Sequence, residues 1–435
     1  MPVSALPTAT ANRPPSVPRP APVERAESPV ITALAARPQR AGDFWRTAEA
    51  QGAPLVEPDP DGDPAYAVVT FLWRGTDATR AVLAMPNKVF DPRDPAANLL
   101  TRLPGTDVWH WSLRMRTDWR ATYTLCVDEG SGSGDAPAER DSAAYWQWLR
   151  GQNRRDPLNP VTLARRWGGD PLSVVELPDS PDRSAWEPRT GTYAGSAAAT
   201  DAAAGAVSVH TVRSAALGNE RRVWAYTPPG HDPSHEAELP VLVLFDGEMW
   251  QPGLGVSVLL DNLIADGRIP PLIALLPESL DSATRWSELA CNDSFVRFLS
   301  DELLPWAAEH WPVTADPART VLAGQSLGGL MAAHAALRAP HRFGNALSQS
   351  GSFWWPDGPD AQWLSGLVES SPKVPVRFHL SAGEQEWVLL PANRRLRDVL
   401  AAKGYEFSYG EFNGGHDYLC WRTELADGLI ALLGR

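Results

Sequence analysis

Residues 319–330 read Arg-Thr-Val-Leu-Ala-Gly-Gln-Ser-Leu-Gly-Gly-Leu, and the fold is decided here. The run 320–323 is a short apolar strand and 326–338, rich in Ala and Leu, is a helix, so Gly324-Gln325-Ser326-Leu327-Gly328 falls on the turn between them. That context is a nucleophile elbow: Gly324 and Gly328 let a strand turn tightly into a helix, the Ser326 hydroxyl is left exposed, and the helix N-terminus behind it favours developing negative charge. The backbone N–H of Leu327 is then an oxyanion donor. A bare GxSxG is a weak signal; its place between strand and helix gives it weight.

Outward from the elbow, everything after Val207 alternates apolar strands with amphipathic helices. Strands are expected at 222–226, 241–245, 272–276, 346–349, 376–381 and 407–411, and helices at 256–265, 293–310, 392–403 and 421–433. This pattern builds a mostly parallel sheet covered on both faces, with catalytic groups at the carboxyl ends of the strands. The preceding region differs. Short β-rich runs at 66–73, 81–84, 108–115 and 122–127, separated by Gly, Pro and Asp turns, predict an antiparallel sandwich, with helices at 41–51 and 142–151. The fold class is therefore α/β, an α/β-hydrolase catalytic domain preceded by a β-sandwich domain. The expected division is a disordered Pro/Ala/Arg-rich tail at 1–40, the sandwich at 41–189, a small-residue linker at 190–206 and the catalytic domain at 207–435.

A serine hydroxyl attacks only when a base takes its proton. Of nine histidines, His416 stands out: it lies in Asn413-Gly414-Gly415-His416-Asp417, a loop after the last expected strand, where two glycines permit the backbone to bend. His231 and His235 lie in a polar loop, His310, His334 and His341 on or beside helices as solvated or capping residues, and His110, His210 and His379 in strands, where packing explains them. For the acid that orients the base, Ala382-Gly383-Glu384-Gln385-Glu386-Trp387 offers two carboxylates, which spacing does not separate. Asp417 adjoins the base and reads as a loop carboxylate bonded to backbone. A second oxyanion donor is expected in Phe245-Asp246-Gly247-Glu248-Met249-Trp250, where Gly247 lets the backbone approach a ligand. A simple left-handed turn explains that glycine equally well.

The formal net charge of −13 argues against general binding to nucleic acid or an anionic membrane, which would need a basic face. Three scattered cysteines, Cys126, Cys291 and Cys420, indicate neither a disulfide framework nor a metal site. The first residues carry no apolar signal segment and no stretch is long enough to span a membrane, so a cytoplasmic location is expected. The oligomeric state is left open.

At this level of detail the chain resembles the enterochelin (ferric enterobactin) esterases, which hydrolyse the ester bonds of catecholate siderophores to release iron. In the catalytic half the resemblance rests on VLFDGEMW (243–250), RWSELACN (285–292), VLAGQSLGGL (321–330), RFGNALSQSGSFWWP (342–356) and NGGHDYLCWR (413–422). VTFLWR (69–74), LPGTDVWHWSLRM (103–115) and DPLNP (156–160) resemble that family's N-terminal domain. The resemblance implies Ser326 as nucleophile, His416 as base and, with GxxE and the following helix start matched to Gly383 and Ala392-Asn393, Glu386 as acid. It places Arg285 in the substrate cleft.

A ferric tris-catecholate is a bulky trianion with flat rings, so its site should pair cations with aromatic faces. Arg285 and Trp286, with Trp250 and Trp355, are the expected substrate contacts, and core packing is the ordinary alternative for each tryptophan. No cofactor is implied, because the iron arrives bound to the substrate. Two other readings stand beside this one: a generic carboxylesterase or acyltransferase of the same fold, and a non-catalytic binding protein.

Overall fold

The computed structural model describes residues 14–21, 23–130, 136, 137, 139, 140, 142–189, 204–231, 237–358 and 360–434. The described residues form two compact units, one within Pro18–Pro181 together with Asn413–Cys420, the other within Asp182–Phe412 together with 14–17 and 421–434.

The first unit is a sandwich with helices laid on it. Its main sheet has the order β1 (Leu55–Pro58), β2 (Tyr66–Arg74), β5 (Val108–Arg116), β4 (Thr101–Arg102), all antiparallel. Two three-stranded sheets accompany it. One is formed by β3 (Ala81–Ala84), β7 (Leu125–Asp128) and β8 (Asn153–Arg154), the other by β6 (Arg120–Tyr123), β10 (Leu172–Glu176) and β9 (Thr162–Leu163). One face of the main sheet, with Val69, Phe71, Trp111 and Leu113, shares a core with Val82, Tyr123, Leu125 and Val175 of the smaller sheets. Its other face, with Leu55, Leu72 and Val108, is covered by Ile31 and Leu34 of α1 (Pro29–Ala35) and by Trp45 and Ala48 of α2 (Ala41–Gln51). Because both faces are covered, β2 reads as the unbroken run AVVTFLW rather than as an alternation. A third helix, α3 (Ala143–Gly151), packs Tyr145 and Leu149 on Leu83 and Cys126.

The expected tail ends too late. Ser28 caps α1, accepting from Ile31 N–H, and the buried Ile31 and Leu34 supply the apolar surface that the Pro/Ala-rich composition conceals. Residues 1–13, and 190–203 of the expected linker, lie outside the described residues.

The second unit carries an eight-stranded sheet of order β11 (Ala206–Ser214), β12 (Asn219–Thr227), β14 (Ile273–Pro277), β13 (Val241–Leu244), β15 (Thr320–Gln325), β16 (Asn345–Gln349), β17 (Arg377–Gly383), β18 (Phe407–Phe412). The first two pairings are antiparallel and the rest parallel. Strands β13 to β16 are buried throughout, as a parallel sheet covered on both faces requires. Helices follow the strands: α4 (Gly247–Trp250), α5 (Val256–Ala265), α6 (Ser282–Leu289), α7 (Asp293–Arg297), α8 (Leu304–Ala308), α9 (Leu327–Arg338), α10 (Trp363–Ser370), α11 (Leu390–Ala402) and α12 (Tyr418–Leu433). The helix expected over 293–310 is interrupted by a π-helical turn at Phe298–Leu303.

Candidate active site

Ser326 follows β15 with φ 60° and ψ −120°, outside the regions a non-glycine residue prefers. Its conformation is held from both sides: Ser326 N–H donates to Gln349 O at 2.9 Å, and Ser326 O accepts from Ser352 N–H at 2.9 Å. The half-buried hydroxyl lies 3.3 Å from the Ser352 hydroxyl. The tight packing at the elbow falls on Gly324 and Gly329. A Cβ at Gly324 would lie 2.6 Å from the carbonyl carbon of Gly328, and one at Gly329 would lie 2.4 Å from Ser348 Oγ. Gly328, which sequence spacing singled out, has 3.6 Å of clearance.

Leu327 is the first residue of α9, where a backbone N–H has no intrahelical acceptor. Gly247 opens α4 at the end of β13. The left-handed residue of that turn is Asp246, φ 64°, so turn geometry does not account for the glycine. A Cβ on Gly247 would lie 2.2 Å from Leu276 O, and it is this close approach that excludes a side chain.

Beneath these two termini lies a buried polar network that the sequence did not reveal. Asp246, wholly buried, accepts from Arg285 Nε at 2.8 Å and Nη2 at 2.9 Å, from Ser279 Oγ at 2.6 Å and from Gln325 Nε2. Arg285 Nη2 also donates to Gln325 O at 3.2 Å, and Trp250 Nε1 donates to Gln325 Oε1 at 3.0 Å. The residue before Ser326 is thus tied to the residue before Gly247.

Three of the expected substrate contacts are buried side chains. The Arg285 guanidinium is buried in a bidentate pair with Asp246, and its bonds tie α6 to the turn after β13 and to Gln325 of β15. Trp250 is wholly buried and bonded to Gln325. Trp355 is buried in the core, edge-on to Trp363. Trp286 remains half-buried, its ring tilted against Trp354 at 6.3 Å.

Burial separates the two carboxylates after β17. Glu384 is exposed, whereas Glu386 is wholly buried, with Oε2 accepting the Gly383 N–H at 2.9 Å. His416 lies in Asn413–Cys420, which groups with the sandwich unit. It is half-buried, and its carbonyl accepts from Asn87 Nδ2 at 2.9 Å. Asp417 is bonded to backbone, accepting from Thr122 N–H at 2.6 Å and Leu419 N–H at 3.0 Å; burial pushes its carboxyl up, and these bonds oppose the shift.

His334, expected to be solvated or capping, is buried and bonded to Asp293 at 3.1 Å. His379 packs as expected and bonds to Ser408 Oγ at 2.8 Å. Among the described residues, no group of three or more His, Cys, Asp or Glu side chains is placed to hold a metal ion. No described helix is long and apolar enough to cross a membrane.

A mostly parallel sheet of this order, with a GxSxG elbow between its central strand and a buried helix, defines a serine ester hydrolase of the α/β-hydrolase class. Comparison with known proteins narrows the class. The esterase family model matches residues 214–432, and the model for the N-terminal domain of enterochelin esterases matches 68–186. The chain is 35% identical to the iron(III) enterobactin esterase of Dickeya dadantii (strain 3937), over 93% of this chain and 95% of that one. The ferric enterobactin esterase of Salmonella typhimurium superposes with a TM-score of 0.75 at 32% identity, covering 90% of this chain and 98% of that one. The enterobactin esterase of Shigella flexneri, solved in the presence of enterobactin, gives 0.72 at 31% identity, covering 88% and 96%. The chain belongs to the enterochelin esterase family.

Proposed function

We propose that the protein hydrolyses the ester bonds of ferric enterobactin or a related catecholate siderophore and so releases its iron. The observation that carries this is the extent of the likeness, which runs through the N-terminal domain as well as the catalytic one. A generic esterase of this fold needs only the second.

In the proposed reaction the Ser326 hydroxyl attacks the ester carbonyl as His416 takes its proton, and the N–H groups of Leu327 and Gly247 receive the charge that develops on the carbonyl oxygen. His416 then gives the proton to the departing alkoxide. A water, deprotonated by His416, cleaves the acyl-Ser326 ester and releases the acid. Glu386 holds the imidazole and stabilises its charged form; its burial at the end of β17, against the exposure of Glu384, supports that choice. Arg285 acts from below, holding Asp246 and Gln325 beside the two oxyanion donors. Trp286 is the aromatic face we assign to the catecholate rings. Iron is cargo in this scheme, and no resident cofactor takes part. We place the reaction in the cytoplasm, with which three buried free thiols agree.

The test is a comparison of kcat/KM on ferric enterobactin and on 4-nitrophenyl butyrate. A preference for the siderophore of at least about tenfold is expected; equal rates, or a preference for the small ester, would favour the generic esterase.

A further inference from the structure

Ser326 and Glu386 belong to one compact unit, but Asn413–Cys420 groups with the sandwich. We propose that the sandwich unit is a positioning device for the base: Asn87, Arg120 and the Thr122 N–H grip the loop that carries His416, and substitutions there lower turnover rather than substrate affinity. This rests on His416 being the base.

The grip is distributed along the whole loop. At its start, Asn413 Nδ2 donates to Asp118 Oδ1 at 2.6 Å. At its centre, Asn87 Nδ2 donates to the carbonyl of His416 itself at 2.9 Å. Asn87 is in turn fixed to β6, because its N–H donates to Thr122 O at 2.9 Å. The next residue, Asp417, is buried and accepts the Thr122 N–H at 2.6 Å. At its end, the buried Arg120 donates to Cys420 O at 3.2 Å and, through Nη1, to Pro181 O.

The packing is as close as the bonding. A Cβ on Gly415 would lie 2.6 Å from Asn87 Oδ1 and 2.8 Å from Lys88 Cβ, so the glycine before the base serves contact with the sandwich. A loop of eight residues fixed at both ends and in the middle has little freedom to reorient its histidine. Catalysis is sensitive to such freedom, since displacing a reacting group by about 1 Å costs about 10²-fold in rate.

A substrate too small to need a recognition domain separates positioning from binding. Asn87→Ala, Asn87→Asp (the same size, without the donor) and Gly415→Ala would be measured with 4-nitrophenyl butyrate and with ferric enterobactin. Active enzyme would be counted by fluorophosphonate titration of Ser326, and folding checked by thermal melting. We expect kcat for the small ester to fall about tenfold, with KM within about twofold, in a population that melts as the unmodified protein does. The small-ester pH profile should move with it, which a merely structural role would not produce.

An unchanged kcat on the small ester with a raised KM for ferric enterobactin would overturn the proposal, making Asn87 a substrate contact. So would a loss of rate fully explained by unfolded protein. His416→Ala belongs in the same series: a variant retaining a tenth or more of the activity would refute the base assignment itself, whatever Asn87 does.

Discussion

Gly247→Ala is the most direct perturbation of the proposed oxyanion site that the structure offers. The new Cβ would lie 2.2 Å from Leu276 O and 2.6 Å from Leu276 C, both backbone atoms of β14 that have no rotamer to yield. Bringing the first contact to 3.0 Å requires about 0.8 Å of movement. The start of α4 has to make it, because β14 is paired on both sides within the sheet. The Gly247 N–H is the group that moves. Loss of one oxyanion donor costs about 10²–10³ in kcat, and overpacking costs about 1–3 kcal/mol of stability. The expected result is a kcat at least about 10²-fold lower on both the siderophore and a nitrophenyl ester, with a modest fall in melting temperature. Gly366→Ala provides the control. It lies in α10 with nothing within 4 Å of its would-be Cβ, and should gain about 0.5–1 kcal/mol while leaving kcat unchanged. A Gly247→Ala protein with kcat within threefold of the parent would refute the assignment of this N–H.

The remaining predictions concern charge. Glu386→Gln should lower kcat by about 10³–10⁴-fold and Glu384→Gln by less than threefold; comparable losses would show that burial chose the wrong carboxylate. Arg285→Met strands the buried Asp246 carboxylate and should cost about 3–5 kcal/mol in chemical denaturation, a loss below 1 kcal/mol contradicting the buried pair. Burial lowers His379 from 6.5 to about 4. Between those values the unfolded chain binds a proton that the native one does not, so stability is present above pH 6.5 and is lost as pH falls towards 4. The His379 contribution amounts to about 2 kcal/mol between pH 7 and pH 5, and His379→Gln should flatten the stability curve by that amount.

Much of this molecule is legible from its sequence because burial on both sides of a sheet leaves a plain mark. The runs in β2, β13 and β15 are continuous apolar strands bounded by turns, and each lies where that pattern puts it. The edge strand β11 was not expected, for the opposite reason: it is largely exposed, and Ser208, His210 and Arg213 interrupt its apolar pattern. The elbow was readable because its chemistry is local.

What lies beneath the elbow was not readable. An arginine beside tryptophans suggests a ligand until its partner is known, and Asp246 is 39 residues away from Arg285. The loop that carries His416 shows the same limit, since nothing in NGGHD discloses that Asn87, more than three hundred residues earlier, is bonded to it. The two carboxylates after β17 differ only in burial, which a spacing of two residues does not encode.

The central claim, a serine esterase that opens a catecholate tri-ester through Ser326, is tested most directly by chromatography of ferric enterobactin after incubation with the protein and with its Ser326→Ala variant. Linear and shorter ester fragments are expected from the unmodified protein and none above background from the variant. Intact substrate in both, or equal fragmentation by both, would contradict it.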